Sequence, residues 1–544
     1  MSATIDRARS LVAAARAEYA GVPEARRAVQ DCGARLDEPL RIALAGSLKA
    51  GKSTLLNALV GQDIAPTDAT ECTRVVTWYR RGLAPSVTAR YDGDRSAEIP
   101  VVRRNGRLSF DFGELTADRV DRLDVEWPAR ALARNTIVDT PGTSSLSRDV
   151  SERTLAMLTP DDAASGADAV VYLLRTLSAA DTTFLGRIND AVGGESGPLG
   201  VIGVVSRADE IGAGRMDALL SAKDVAARFA GELERTGLCQ AVVPVAGLLA
   251  LGARTLRQSE FAALVALADA PSEDLSLAML SADRFVRPDM PLPVDAETRA
   301  GLADRFGLFG IRLAVTLIRM GTRDSPALAR ELVERSGLDE LRQVLDAQFG
   351  DRADQLKAHS ALVTLDRILH DHPAPGAQQI ADEVRRTLAD AHGFRELRLI
   401  GRMRAREVRL PDDQRAALAL VIGAQGMDAA TRLGCDSDAS ESELRAAALA
   451  AVRTWRARST HPLLDRFTAS ACEVAVRRPR PAGGPRATPR RRRWRRRTPR
   501  CPPRRVPPSS RERCAQRTDA RAAARRRVLP AGPRRPRPRR RRSV

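Results

Sequence analysis

Lysine is nearly missing from this chain: of its 88 basic residues only four are lysines, at positions 49, 52, 223 and 357. A lysine kept in so arginine-rich a sequence marks a place where a compact ammonium is needed. Aromatic residues make up 3%, which excludes cores built on stacked rings. The packing is left to Leu, Val, Ile and Ala, a composition that suits helices. The seven cysteines (32, 72, 239, 435, 472, 501 and 514) are odd in number and scattered, with no C-x-x-C pair and no histidines at metal-ligand spacing. That pattern excludes a disulfide framework and a zinc site, and reduced thiols of a cytosolic protein are expected. No run of about eighteen apolar residues occurs. The start, Met1-Ser2-Ala3-Thr4-Ile5-Asp6-Arg7, lacks the apolar stretch of a secretory signal, so any membrane contact is expected to be peripheral.

At 544 residues and 43% hydrophobic content the chain exceeds what one core organises, and two or more folded units are expected. Its net charge of +20 is unevenly placed. Residues 477–544 hold 28 Arg and 13 Pro against Glu512 and Asp519, so this segment alone outweighs the charge of the whole chain and residues 1–476 are net acidic. An acidic body argues against a nucleic-acid partner. The Arg/Pro-rich segment has almost no large aliphatics to bury and reads as a disordered basic tail. Three accounts of it stand: an arm meeting nucleic acid or anionic lipid by charge, a tail of no specific role, or an out-of-frame reading of a GC-rich gene. Its abrupt onset after Leu463-Leu464-Asp465-Arg466-Phe467 favours the third.

What the chain does have is a full G-x-x-x-x-G-K-[ST] phosphate loop, Gly46-Ser47-Leu48-Lys49-Ala50-Gly51-Lys52-Ser53, followed by Thr54. The apolar run Ile42-Ala43-Leu44-Ala45 precedes it and Leu55-Leu56-Asn57-Ala58-Leu59 follows, which gives strand, glycine loop and helix. In that context backbone N–H groups curl around a phosphate, the helix N-terminus faces the anion, Lys52 reaches the outer phosphates and the Ser53 hydroxyl can ligate Mg²⁺. Two of the four lysines fall in this loop. A bound nucleoside triphosphate is expected.

Around the loop, Ile5, Leu11, Val12, Ala15 and Tyr19 recur at helical spacing within residues 1–38. Strand-like runs at 75–79, 87–91, 123–127, 136–138, 169–174, 201–205 and 242–245 alternate with helical stretches at 181–191 and 214–237. This predicts a doubly wound α/β domain over 39–255. Beyond 255 the strands stop, and stripes such as Leu338, Leu341, Val344, Leu345 and Phe349 predict a helical bundle over 256–476, with Ser440 and Glu443 as a capping box.

Later motifs choose the nucleotide. Asp139-Thr140-Pro141-Gly142 follows the strand Thr136-Ile137-Val138, so Asp139 can hold the Mg²⁺ water shell and the Gly142 N–H can meet the γ-phosphate. The Thr-rich run 66–73 offers a hydroxyl for the same ion, and Thr73 is the candidate. After the strand Val201 to Val205, Asp209 can accept the base N1 and N2 protons of guanine and the Arg207 stem can stack on its ring, with Ser206 in place of a bracing Asn or Thr. Ala246 and Gly247, after another strand, can present backbone to the guanine O6.

These motifs in this order resemble the dynamin-like large GTPases. The run 71–77 resembles the first switch of bacterial members, the runs 206–212, 244–250 and 306–314 are similar to the bacterial isoniazid-inducible members, and the resemblance covers about 1 to 475. It implies a GTPase head on a discontinuous helical bundle built from both flanks, hydrolysis of GTP to GDP with Mg²⁺, and head-to-head association with the same or a related chain. It further implies tubulation, fusion or repair of membranes at the inner face of the cell membrane.

Two positions depart from the eukaryotic pattern. Leu48 stands where a Gln orients water, and Lys49 where a Ser helps bind a monovalent cation; the Lys49 ammonium could replace that cation. No other side chain stands out for positioning water. The mixed apolar and cationic segment 397–404 is a weak candidate for lipid contact, a solvated helix being the simpler account. Two other functions stay open: a GTP-dependent RNA- or ribosome-associated factor using the basic tail, and a weakly hydrolysing partner subunit of a related GTPase.

Overall fold

A computed structural model of the chain describes residues 3–67, 75–142, 158, 166–191, 200–390 and 408–476, with short gaps at 94, 105–106, 114, 117–118, 215–216, 237–238 and 240, together with 395–396, 399–400 and 403. All of them belong to one compact unit, Met1–Gly484.

Among the described residues eleven strands form: β1 Leu40–Gly46, β2 Thr77–Arg81, β3 Ser86–Tyr91, β4 Arg95–Glu98, β5 Val101–Arg104, β6 Arg107–Phe110, β7 Val120–Trp127, β8 Asn135–Asp139, β9 Ala169–Leu174, β10 Val201–Ser206 and β11 Ala241–Val245. Nine make one sheet in the order β11-β10-β9-β1-β8-β2-β7-β3-β4, and β5 and β6 pair separately. From β11 to β8 the sheet is parallel. These strands are apolar along their length because both faces are covered. On β1, Leu40, Ile42 and Leu44 join the core under the Lys52–Val60 helix, whereas Ala43 and Ala45 join the opposite core with Phe184, Leu185, Phe229 and Leu233. Helices on both faces are the doubly wound arrangement. Past β8 the sheet turns mixed: β2 runs antiparallel to β8, and β3 antiparallel to both β7 and β4. The β3–β4 hairpin turns at Asp92 and Gly93, both left-handed at φ 47° and 84°, an Asp-Gly signal that the strand reading passed over.

The N-terminal helices Ala3–Glu18 and Pro23–Ala34 pack against Ala353–Asp371 and Ala377–Asp390 through Ile5, Tyr19, Val29, Leu362, Leu365 and Val384. Both flanks of the chain therefore build one bundle. Cys32 lies inside it, donating to the Ala361 carbonyl at 3.2 Å, and burial pushes its thiol up to about 12. A second helical group, with Glu441–Ser459 and Arg466–Val476, closes around Trp455, Phe467, Leu418 and Ile422. The capping box forms: Ser440 N–H donates to Glu443 Oε2 at 2.8 Å. Leu399 and Ile400 are buried in this same core. With Met403 partly buried against the same core, these apolar residues are packed and unavailable for lipid, contrary to the lipid-contact expectation, while 397–398, 401–402 and 404 lie outside the described residues.

The sheet is also tied to helices far along the chain. Leu338, Leu341, Phe349 and Leu356 are fully buried in the same core as Val243, Val245 and Ala250. The far end of the Lys52–Val60 helix is closed by two arginines: Arg254 donates to the Ala58 and Leu59 carbonyls and Arg342 to Leu59 at 3.1 Å. These satisfy carbonyls that a helix end leaves orphaned. Truncating Phe349 to Ala is expected to cost about 3–5 kcal/mol of stability, as for other buried aromatics. Denaturant unfolding of the full chain checks it, and a loss under 1 kcal/mol would mean the ring is not a core element.

Candidate nucleotide site

The parallel strands end level with one another. Leu44 on β1 pairs with Asp139 on β8, Gly46 with Leu173 on β9, and Ser206 on β10 with Val245 on β11. In open α/β sheets the crevice beyond such carboxyl ends is where ligands bind. Gly46 has to be glycine: its φ is 145°, and a Cβ there would lie 2.5 Å from the Leu173 carbonyl oxygen. The chain then curls through Ser47–Gly51 and enters the helix at Lys52.

Two cavities meet along this loop. The larger, about 360 Å³, is lined by Leu48 to Thr54, Thr67, Val75, Asp139, Thr140, Gly142 and Arg207. Lys52 Nζ donates to the Gly46 and Ser47 carbonyls at 3.2 Å each, so the ammonium folds back across the loop toward the phosphate position. Ser53 Oγ donates to Asp139 Oδ2 at 2.7 Å. The other oxygen, Oδ1, is shielded from solvent and has no hydrogen-bond partner. Burial raises the Asp139 carboxyl against the pull of Lys52 and the Ser53 bond, and burial likewise lowers the Lys52 ammonium against the pull of Asp139. Both charges lack solvation that an anion and a hydrated cation would restore, so the donor set fits Mg²⁺ on a phosphate chain. Among the described residues no group of three or more His, Cys, Asp or Glu could hold a metal alone. Gly142 presses on the loop: a Cβ on it would sit 2.8 Å from Leu48 Cα. Thr73 lies outside the described residues; of the other two threonines of that run, Thr67 borders the cavity and Thr70 also lies outside.

The smaller cavity, about 130 Å³, is lined by Ala50, Gly51, Thr54, Leu55, Leu173, Val204, Ser206, Arg207, Asp209, Glu210, Val245, Gly247 and Leu248. It is a slot between apolar walls with Asp209 at one side. Burial raises the Asp209 carboxyl, its own backbone N–H and Arg207 opposing and Glu210 adding to the rise. Ser206 Oγ donates to the Leu174 carbonyl at 3.2 Å, which fastens the loop to the end of β9. Ala246 does not line the slot. Its N–H donates to the Ser336 carbonyl at 2.9 Å, so the backbone that faces the slot is that of Gly247, at the start of the Gly247–Arg254 helix. Lys49 and Arg207 both have left-handed backbone, φ 59° and 53°, a conformation costing about 1–2 kcal/mol in a residue with a Cβ.

Residues 42–207 match the family model described as Dynamin family. Isoniazid-induced protein IniC of Mycobacterium tuberculosis is 55% identical over 480 residues, 87% of this chain and 97% of that protein. The chain belongs to the dynamin family. A bacterial dynamin-like protein of Nostoc punctiforme is 34% identical to this dynamin-like chain over 113 residues, 19% of the chain and 16% of that protein. A solved oligomerised bacterial dynamin pair, 13% identical, aligns over 87% of the chain and 74% of its own with a TM-score of 0.29, a value too low to carry an argument. Dynamin family members are GTPases, and GTP binding, with Mg²⁺ as its usual companion, goes with the family.

Of the residues that sequence spacing singled out, the structure brings the loop, Asp139, Gly142, Ser206, Arg207, Asp209 and Gly247 together around the two cavities. Sequence spacing missed Glu210 and Leu248, which adjoin motif residues in the chain, and Gly307. That glycine breaks the Ala296–Arg319 helix at φ 64°, ψ 169°, and a Cβ on it would come within 4.0 Å of Asp209 Oδ2. The doublet Phe306-Gly307 inside an apolar helical stretch was the available signal.

Proposed function

We propose that this chain binds GTP across the two adjoining cavities, hydrolyses it with Mg²⁺, and couples the state of its head to head association and to peripheral remodelling or repair of an anionic membrane surface. One observation carries the reading. Ala50, Gly51 and Thr54 border both cavities, so one ligand can lie along the helix start with its anionic end at Lys52 and its base beside Asp209.

In this site Lys52 and the loop amides hold the phosphates, and Ser53, Thr73 and the Asp139 water shell would hold Mg²⁺. The ion, when bound, neutralises charge between the β- and γ-phosphates. Asp209 accepts from the base, Gly247 offers its N–H to the O6, and the exposed Lys49 stands in for a monovalent cation. With the apolar Leu48 at the water-orienting position, unassisted turnover falls toward about 10⁻⁴ s⁻¹ and head association completes the site. Family membership supports the hydrolysis and the membrane role. Among the described residues no helix is long and apolar enough to cross a membrane.

Nucleotide titration and phosphate release test the chemistry. Asp209→Ala is expected to weaken GDP binding about a hundredfold, the worth of two hydrogen bonds to a charged group, and ATP should not compete. Because the ionised carboxylate is the binding form and its folded value is raised, guanine affinity should be full at neutral pH. It should fall on acidification, beginning above the ordinary Asp value of about 4; affinity flat down to pH 4 would refute the assignment. Turnover should proceed without potassium and collapse in Lys49→Ala, and a potassium requirement in the unmutated chain would remove Lys49 from that role. A variant ending at Val476 keeps every core residue described above. It should sediment with phosphatidylglycerol vesicles and not with RNA, and the reverse would favour the nucleic-acid reading.

A further inference from the structure

The connection from β2 to β3 crosses over the end of β7, because both strands pair with β7. Its residues, Gly82-Leu83-Ala84-Pro85, are drawn tight across that strand end. Gly82 N–H donates to the Trp127 carbonyl at 3.1 Å, and a Cβ on Gly82 would lie 2.6 Å from Glu126 Cβ, so the arch is pressed against β7. Leu83 has no core to enter. Its relative exposure is 102%, above that of any other large apolar side chain among the described residues, and Ala84 and Pro85 beside it are exposed too. The same Trp127 carbonyl accepts from Ala129 N–H at 2.8 Å, so one acceptor ties the arch to the Arg130–Ala133 turn. Arg81, Arg130 and Arg134 are exposed here, and none has an acidic partner among the described residues. Arg80, Arg90 and Arg122, on the face of the sheet, are instead tied to Asp124. Glu126, next to Gly82, is the exposed acid at this end.

We propose that this end of the sheet is a lipid-facing surface: the Leu83 tip enters the headgroup layer of an anionic membrane, and Arg81, Arg130 and Arg134 meet its phosphates. A single exposed leucine is ordinary. One at the apex of a braced arch, flanked by cations that no neighbouring carboxylate pairs, supplies both halves of an interfacial anchor: apolar area to bury and charge to match. The arch is already fixed by its hydrogen bond to β7, so little ordering cost opposes binding. The Arg134 carbonyl accepts from Leu40 N–H at 3.3 Å, which sets the turn at the start of β1, and β1 runs seven residues, about 20 Å, before it reaches the phosphate loop. An anchored head therefore holds its nucleotide cavities away from the bilayer, where a second head can reach them. The inference rests on the membrane part of the proposed function and supplies a contact surface that the packed Leu399 and Ile400 do not.

Sedimentation of the full chain with phosphatidylglycerol vesicles tests this surface. The Arg/Pro-rich segment 477–544 is common to every variant, so the ratios between variants report the tip. Leu83→Ser is expected to weaken partition about tenfold, and Arg81→Glu combined with Arg130→Glu about a hundredfold. Melting temperature and GDP affinity should not move, because these side chains are exposed and lie at the far end of the strands from the cavities. Leu83→Trp should keep the binding, and brominated acyl chains should quench its emission beyond the quenching seen in the unmutated chain. Undiminished sedimentation of the first two variants, or no added quenching at position 83, would overturn the tip and leave membrane binding to another surface. If the unmutated chain does not sediment with the vesicles, the membrane reading itself falls and takes the tip with it.

Discussion

The Lys52–Val60 helix is pinned at its far end, and the site depends on that. A helix of nine residues is marginal by itself, and its first turn has to stay in register for the loop amides to point at one place. Arg254 and Arg342 take the last carbonyls, setting two cations against the negative end of the helix dipole. Burial, with Arg342 nearby, pushes Arg254 down to about 10, and the guanidinium stays charged. Both arginines belong to helices that follow the sheet in the chain, so the position of the phosphate loop is set partly from outside the strands that carry it.

The near end of the same helix is arranged for a charge that the protein does not itself supply. Lys52 and Asp139 are both displaced toward neutrality by burial, and one oxygen of Asp139 has no partner. A fold that keeps such groups dry gives up stability for orientation, because dipoles already aimed need no rearrangement when the anion arrives. The two left-handed non-glycine residues at 49 and 207 belong to the same trade.

Local features were legible in the sequence. The phosphate loop, the apolar strands β1, β9 and β10, the capping box at Ser440 and the acidic residues at strand ends are each fixed by a few neighbouring side chains. Sequence spacing therefore finds them. What it could not show are groups that meet only through the fold: Arg254 and Arg342 on one helix end, Gly307 beside Asp209, Ser336 occupying the Ala246 N–H, and Arg175 reaching Glu210. In the mixed half of the sheet β2, β3 and β7 fall on strand-like runs, whereas β4 was missed for a different reason, since its four residues, all polar or small, have no alternating apolar pattern to read. Leu399 and Ile400 show the opposite error, where a cationic neighbourhood hid the fact that a core claims the aliphatic residues.

Leu338, Leu341, Phe349 and Leu356 belong to the same core as Val243 and Val245 of β11, roughly a hundred residues after that strand ends. A boundary drawn at 255, where strands give way to helices, therefore runs through a core. The nucleotide-binding half is not a separable module: released at that point it would present a bare apolar face along β11, and it would lose Arg342 as well. During synthesis the core beside the sheet remains unfinished until residues past 356 have emerged, so the strands that carry the pocket are complete well before they are fully covered.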